Sequence, residues 1–403
     1  MQWSSRVLLT LALAAIPFQW YVLRTISNAL GTALGLSRKR LRVGIATAVA
    51  WLSLYPLAVI SSETFRLDQV AQALQKSELL TDILITYPFW IGLILVLQLT
   101  ILFLPIHLVW IALLPLTKNN NARWVKVRSA LVLVVLFVTA VYVILRVYND
   151  TFTIRTRETS FEVSGLPQEL EGFRIVEIAD IQVDSRTNGD KLEKYLRIVN
   201  GLDPDLIVFG GDLVTSGVSY IDQGAALMGR MRARRGVYAS LGDHDHFSDR
   251  SMVINALQRN GVTVLDNVAT VVPVGATYLS LTGITNVYRT RPSDRILNTI
   301  EQQRLRGPVN ILLTHQPSRW LVRFAAEHGY DLFLAGHTHG GQIGFPLPGF
   351  FLAGSSFETD YVSGFYSIGS LFVSINNGLG FTLAPIRYHA PAEVTLIVLR
   401  STR

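Results

Sequence analysis

In the stretch "DLFLAGHTHGGQIGF", Asp331 to Phe345, an apolar run breaks into glycines around His337 and His339. A single histidine at such a place is usually a capped or satisfied core residue. Two of them at i and i+2, on glycine-softened backbone, are imidazole donors for which the local sequence supplies no partner. Four other apolar runs end similarly, in Asp180–Ile181–Gln182, Gly210–Gly211–Asp212, Gly242–Asp243–His244–Asp245 and Thr314–His315. Each ending alone reads as a turn or a cap. Five of them, all bearing Asp, His or an amide, read as a metal site assembled from residues far apart in the chain, with His337 and His339 among the ligands.

The elements that must position these residues follow from pattern. "FRIVEIAD", "DLIVFGGD", "GVYASLGDHD", "VNILLTHQP" and "DLFLAGHTH" read as strands, with "LFVSIN" and "EVTLIVLR" closing the chain. "GDKLEKYLRIVNGL", "GAALMGRMRA", "SRWLVRFAAEHG" and a segment near Ser293–Leu305 have helical spacing, and "SDRSMVINALQRNG" opens with a Ser/Asp capping signal. Val262–Gly283 is β-rich. This mixture predicts two packed sheets with helices outside, and ligands in open α/β sheets gather at the C-terminal ends of strands, where the polar residues lie.

Upstream the composition changes. The 403-residue chain is half hydrophobic, with a mean hydropathy of +0.35, and the excess lies before about residue 150. Four apolar stretches, at about 7–23, 43–60, 90–113 and 130–147, approach or exceed the roughly 17–25 residues that cross a bilayer core. They predict a four-helix transmembrane module over 1–148, a linker and first strand over 149–172, and an α/β domain over 173–403. A cleaved leader is the bland reading of the first stretch, but three more follow it. No stretch carries a charge in its middle, His107 and Gln98 being its most polar groups, so an anchor is expected and not a transporter.

Residues 1–148 hold 13 Lys/Arg against 4 Asp/Glu, and the rest 23 against 25. The basic balance therefore belongs to the membrane half, and no nucleic-acid partner is expected. Cations cluster in the first loop (Arg24, Arg38, Lys39, Arg40, Arg42) and the third (Lys118, Arg123, Lys126, Arg128), against Arg66 and Lys76 among four acids in the second. Positive-inside counting places loops one and three in the cytoplasm and the C-terminal domain outside a multi-pass inner or plasma membrane protein. With no cysteine, thiolate metal sites and disulfides are excluded.

The ordered series of strand endings, from Asp180 to "AGHTHGGQ", resembles the calcineurin-like metallophosphoesterases. "LLTHQP", "AGHTHGGQ" and "NNGLGFTLAPIRYHAPAEVTLI" resemble the membrane-anchored bacterial branch, and the likeness covers Phe173 to Leu399. It implies an α/β/β/α sandwich with two divalent metal ions (Mn, Fe, Zn or Mg) between facing sheets. By the same resemblance Asp180, Asp212 and His339 hold the first metal with Gln182 contributing, Asp212 bridges, and Asp243, His315 and His337 hold the second. His244 matches the catalytic histidine that contacts phosphate and protonates the leaving oxygen, with Asp245 expected to orient its ring.

Two departures from that pattern stand out. The D-x-H motif reads D-I-Q here, placing Gln182 where an imidazole is expected, and the GNH motif reads G-D-H, placing Asp243 where the family has Asn. The harder donor set favours Mn²⁺, Fe²⁺ or Mg²⁺ over a more thiophilic or imidazole-loving ion. Three other polar residues stay open: Asp184 as a supplementary ligand or a turn cap, His246 as a surface or supporting residue, and Arg387 as a phosphate contact or a structural ion pair. The expected function is a membrane-anchored, two-metal phosphohydrolase acting on phosphate mono- or diesters. The short link from Val147 to Phe173 suggests lipid or envelope phosphates as substrates. The alternative is a catalytically weakened membrane protein that binds or senses metal or phosphate.

Overall fold

The computed structural model describes residues 3–67, 70, 74, 79–116, 121–288 and 290–402. The chain divides between Asn149 and Asp150 into two compact units.

The first unit is helical. Three helices, Ser5–Leu34, Leu79–Leu113 and Ala122–Phe152, are long and apolar enough to cross a membrane. The expected second span is not one straight helix: Arg38–Leu52 and Leu54–Thr64 are bent by 46° at Ser53 and are apolar enough for a span only when taken as one broken pair. The Ser53 hydroxyl bonds the Val49 carbonyl there, an i−4 side-chain bond of the kind that bends helices. A fourth straight span is therefore absent among the described residues. Val22, Ala29, Leu99, Phe103 and Val132 form a buried cluster joining the long helices. His107 is no orphan, because the Tyr21 hydroxyl lies 2.5 Å from its Nδ1 and Arg128 meets its Nε2. Lys76 and Lys118, counted for orientation, lie outside the described residues.

The second unit is built on two six-stranded mixed sheets. One runs in the order β1 (Ile154–Val163), β14 (Ala392–Ser401), β2 (Arg174–Ile178), β3 (Leu206–Phe209), β4 (Val237–Ala239), β5 (Thr263–Val264). The other runs β12 (Gly364–Ile368), β13 (Leu371–Ile375), β9 (Leu332–Ala335), β8 (Asn310–Thr314), β7 (Thr277–Ile284), β6 (Val268–Val274). A small hairpin, β10 (Gly344–Leu347) with β11 (Phe350–Ala353), follows the twin histidines.

The layering can be read from alternation along the buried strands. In β2 and β3, Ile175, Leu206 and Val208 join one cluster with Ile311, Leu313, Leu332 and Leu334 of the other sheet. Their neighbours Val176, Ile178, Ile207 and Phe209 pack instead with helices 190–201, 221–229 and 243–259. Leu312, Phe333 and Ala335 pack with helices 294–303 and 319–327. The order is helices, sheet, sheet, helices. Helical residues begin at Asp243, earlier than the capping signal suggests, but Asp249 breaks the run with φ −166°. Its carboxylate accepts from the Met252 N–H, so the cap acts inside the helix as drawn.

Candidate metal centre

Strands β2, β3 and β4 pair in parallel, as do β8 and β9, so each sheet delivers its polar strand endings together. Asp180 and Gln182 follow β2, Asp212 follows β3, Asp243 opens the helix after β4, His315 follows β8, and His337 and His339 follow β9. Five of these seven adopt left-handed backbone without being glycine: Asp180 (φ 48°), Gln182 (φ 52°), Asp212 (φ 62°), His337 (φ 72°) and His339 (φ 50°). Such conformations are costly for side-chain-bearing residues and persist only when the surroundings over-determine them. Concentrated here, they mark the centre independently of its chemistry.

The side chains converge across the two sheets. Asp180 accepts from the His337 N–H at 3.2 and 3.0 Å, and its Oδ1 lies 3.4 Å from His339 Nε2. Asp212 Oδ1 accepts from the His244 N–H at 2.8 Å, while Oδ2 accepts from Gln182 Nε2 at 2.8 Å and lies 3.4 Å from His315 Nε2. Asp243 Oδ2 lies 2.9 Å from His337 Nδ1 and 3.5 Å from His315 Nε2. The His315 Nδ1 faces the Gly210 carbonyl at 2.8 Å, which assigns the proton to Nδ1 and turns Nε2 toward the carboxylates.

Two groups of ligand atoms each fall within 4.8 Å of one another: Asp243, His315 and His337, and Asp180, Asp212 and His315. Every expected ligand is present in or beside these groups. The sharing differs from expectation in one respect, because His315 reaches both groups and His339 approaches the second only through Asp180.

Burial and charge separate the histidines. Burial lowers the affinity of His337 for a proton, but Asp243 and Glu358 more than reverse this and raise its pKa to about 9. His315 is likewise lifted well above the usual range, by Asp212, Asp243 and Asp180 against its burial. His339 goes the other way: burial and the Arg387 cation hold it well below that range, in the neutral form that ligates metal. Burial pushes Asp180 up to about 7. For Asp212, burial is outweighed by His315 and His244, which hold it down to about 2.

The donor set fits divalent cations. Three buried carboxylates and three imidazoles face one another, and without a bound cation the acids hold His315 and His337 protonated. The Gln182 Oε1 is buried with no hydrogen-bond partner among the described residues, an acceptor left for something else. Glycines keep the space open: a Cβ on Gly242 would lie 2.1 Å from Asp212 Oδ1, and one on Gly336 2.4 Å from Asp180 Oδ2.

Around the ligands, one expectation is overturned. Asp245 does not orient His244. Its carboxylate accepts the N–H groups of Asp212, Gly242 and Leu213, at 2.9, 2.9 and 2.8 Å, so it fixes two ligand-bearing loops. The His244 ring is held instead through Nδ1, 2.5 Å from the Thr215 carbonyl. Asp184 is a turn cap, accepting from the Arg186 and Thr187 N–H groups and from Thr215 Oγ1. His246 is half-buried and belongs to neither ligand group. Glu358 and Tyr288 were not foreseen: Glu358 Oε2 lies 3.2 Å from His337 Nε2, and the Tyr288 N–H donates to Asp243 Oδ1 at 2.5 Å. Neither sits at a strand ending, and no motif in the sequence marks them.

The chain is 30% identical over 263 residues to the metallophosphoesterase YkuE of Bacillus subtilis, named as uncharacterized, spanning 63% of this chain and 88% of that protein. It belongs to the calcineurin-like phosphoesterases. The family pattern of that description matches residues 173–341, which contain all seven candidate ligands and His244. The chain is also 30% identical over 283 residues to a transmembrane protein with metallophosphoesterase domain from Danio rerio, covering 66% of this chain and 62% of that one. Among solved structures it is similar to the membrane-complex anchor GAP50 of Plasmodium, at 12% identity and a TM-score of 0.35 over 51% of this chain and 71% of that one. As a calcineurin-like phosphoesterase, the chain is an enzyme of the metal-dependent class that hydrolyses phosphate esters, carrying helices apolar enough to span a membrane.

Proposed function

We propose that this phosphoesterase is a membrane-anchored, two-metal phosphohydrolase that acts outside the cytoplasm on lipid or envelope phosphates. The observation that carries the reading is the cluster itself, with two ligand groups that share His315 and draw on both sheets. Asp180, Gln182, Asp212 and His339 would hold one cation, and Asp243, His315 and His337 the other, with Asp212 between them. When bound, paired divalent cations neutralise phosphoryl oxygens and make a nucleophilic water available near neutral pH.

The remaining chemistry belongs to the protein. With its Nδ1 proton donated to the Thr215 carbonyl, the His244 ring is free to present a protonated Nε2 to the leaving oxygen. Its ring is part-exposed, 25% accessible, so a substrate can reach it. Asp245 keeps the Asp212 and Gly242 loops fixed while the proton moves.

An amphiphilic substrate is supported by the surroundings of the cluster. Phe247, 65% exposed, has its ring 6.3 Å from that of His244. Tyr288, 39% exposed, has its ring 5.2 Å from His337, and Phe357, 83% exposed, adjoins Glu358. An apolar group esterified to a phosphoryl group at the cluster would have these exposed rings as neighbours. Turnover of alkyl phosphate mono- and diesters of increasing chain length by the full-length protein in bilayer discs tests this. Rising kcat/KM with chain length supports the substrate class, and a flat or falling series excludes it. A C-terminal reporter fusion active only in the cytoplasm would overturn the extracytoplasmic placement.

A second reading, a weakened metal- or phosphate-binding protein, draws on one observation: Gln182 supplies an amide where an imidazole is expected.

A further inference from the structure

Arg387 is fully buried, yet its partners are not carboxylates. Its Nη1 donates to the carbonyls of His339, Asn377 and Ala390, at 3.2, 3.0 and 2.9 Å. Its Nη2 donates to those of Gly378 and Gly380, at 3.1 and 2.6 Å, and lies at 3.5 Å from His339 Nδ1. A buried cation is costly unless its donors are satisfied, and irregular buried backbone is costly unless its carbonyls are. Nη1 and Nη2 meet both needs here, while Nε has no hydrogen-bond partner among the described residues. The result is neither the phosphate contact nor the ion pair that the sequence left open, but a grip on five carbonyls.

The gripped loop is packed directly on two candidate ligands. A Cβ on Gly378 would lie 2.6 Å from the Asp180 Cβ, and one on Gly380 would lie 2.5 Å from the Gln182 Cβ. The Leu379 N–H donates to the Ala179 carbonyl at 3.1 Å and the Gly380 N–H to the Asp180 carbonyl at 2.7 Å. Asp180, Gln182 and His339 all sit in left-handed backbone that needs outside support. The loop supports the first two, and Arg387 bonds the third at its own carbonyl. None of the guanidinium's hydrogen bonds goes to Asp243, His315 or His337.

We propose that Arg387 is a positioning residue for one metal only, the one assigned to Asp180, Gln182, Asp212 and His339. It acts through backbone, by holding the 377–380 loop and the His339 carbonyl in place. The proposal rests on the two-metal reading and makes a claim about binding, not turnover.

The test titrates Mn²⁺ into the full-length, metal-stripped protein in detergent and follows stoichiometry, affinity and the electron paramagnetic resonance signal. Arg387→Lys keeps the charge but cannot span the same carbonyls. It should weaken one of two sites by about 10–100-fold, the range for losing an outer support of a ligand, and replace a spin-coupled pair by an isolated Mn²⁺ signal. Combined with Asp243→Ala, which removes the other site, it should leave no tight Mn²⁺. Gly380→Ala, whose Cβ would meet the Ile181 carbonyl at 2.3 Å and the Gln182 Cβ at 2.5 Å and so displace one of the gripped carbonyls, should reproduce the selective loss even where the Lys variant fails to fold. Equal weakening of both sites, or no weakening, overturns the proposal while leaving the two-metal reading intact. A wild-type chain that takes up one Mn²⁺ overturns both.

Discussion

The His337 N–H donates to both carboxylate oxygens of Asp180, at 3.2 and 3.0 Å, tying the loop after β9 to the loop after β2. The two residues come from different sheets and are assigned to different metals. Their bond ties the two sheets together at the candidate site.

His244→Ala should lower turnover by about 10²–10⁴-fold, the usual contribution of a general acid, while metal content stays at the wild-type level. The His244 backbone N–H, not its ring, bonds Asp212 Oδ1, so truncating the ring leaves that bridge intact. Metal analysis beside kinetics on a poor leaving group checks this. Loss of metal, or unchanged turnover, would remove His244 from the acid role.

Gln182 bonds Asp212 through Nε2 and leaves Oε1 without a partner among the described residues. Gln182→Ala should weaken the first-metal site by about 10–100-fold, through lost ligation and lost support of Asp212. Gln182→His should tighten it, above all for Zn²⁺, which accepts imidazole readily. Turnover need not follow, since a firmer metal also holds product phosphate longer. Metal titrations in which both variants match the wild type would exclude Gln182 from the site.

Metal uptake should release protons. In the metal-free protein Asp180 is raised to about 7 and His337 to about 9, and His315 is lifted well above the usual range, so a cation must displace all three protons. Affinity for Mn²⁺ should rise from pH 6 to about 9. Stability runs the opposite way in the metal-free state. All three folded-state pKa values are raised, so the stability they contribute is lost as pH climbs, through about 7 for Asp180 and about 9 for His337. Melting the chelated protein across this range checks the sign: a metal-free Tm that rises between pH 6.5 and 9 contradicts it.

The site was legible where each residue's type and its place at a strand end spoke together. Asp180, Asp212, Asp243, His315 and His337 each end or follow an apolar run, and parallel pairing carries such endings to one edge. Support through backbone was not legible. Asp245 looked like a partner for the neighbouring imidazole because both are side chains; its three partners are amides, which leave no mark on the sequence. The same holds for Arg387, whose five acceptors are carbonyls up to 48 residues away. In the first unit, hydropathy counted the 43–60 stretch as one span, but it carries no signal for the 46° bend at Ser53.

The central claim is that one chain binds two divalent metals and hydrolyses phosphate esters with them. The most direct measurement is metal content by mass spectrometry on the purified full-length protein, with turnover of a phosphate mono- and diester panel as Mn²⁺, Fe²⁺ or Zn²⁺ is restored after stripping. Two metals per chain, with activity appearing as the second site fills, is the expected result. Fewer than two metals, with no turnover under any of the three ions, would contradict the account.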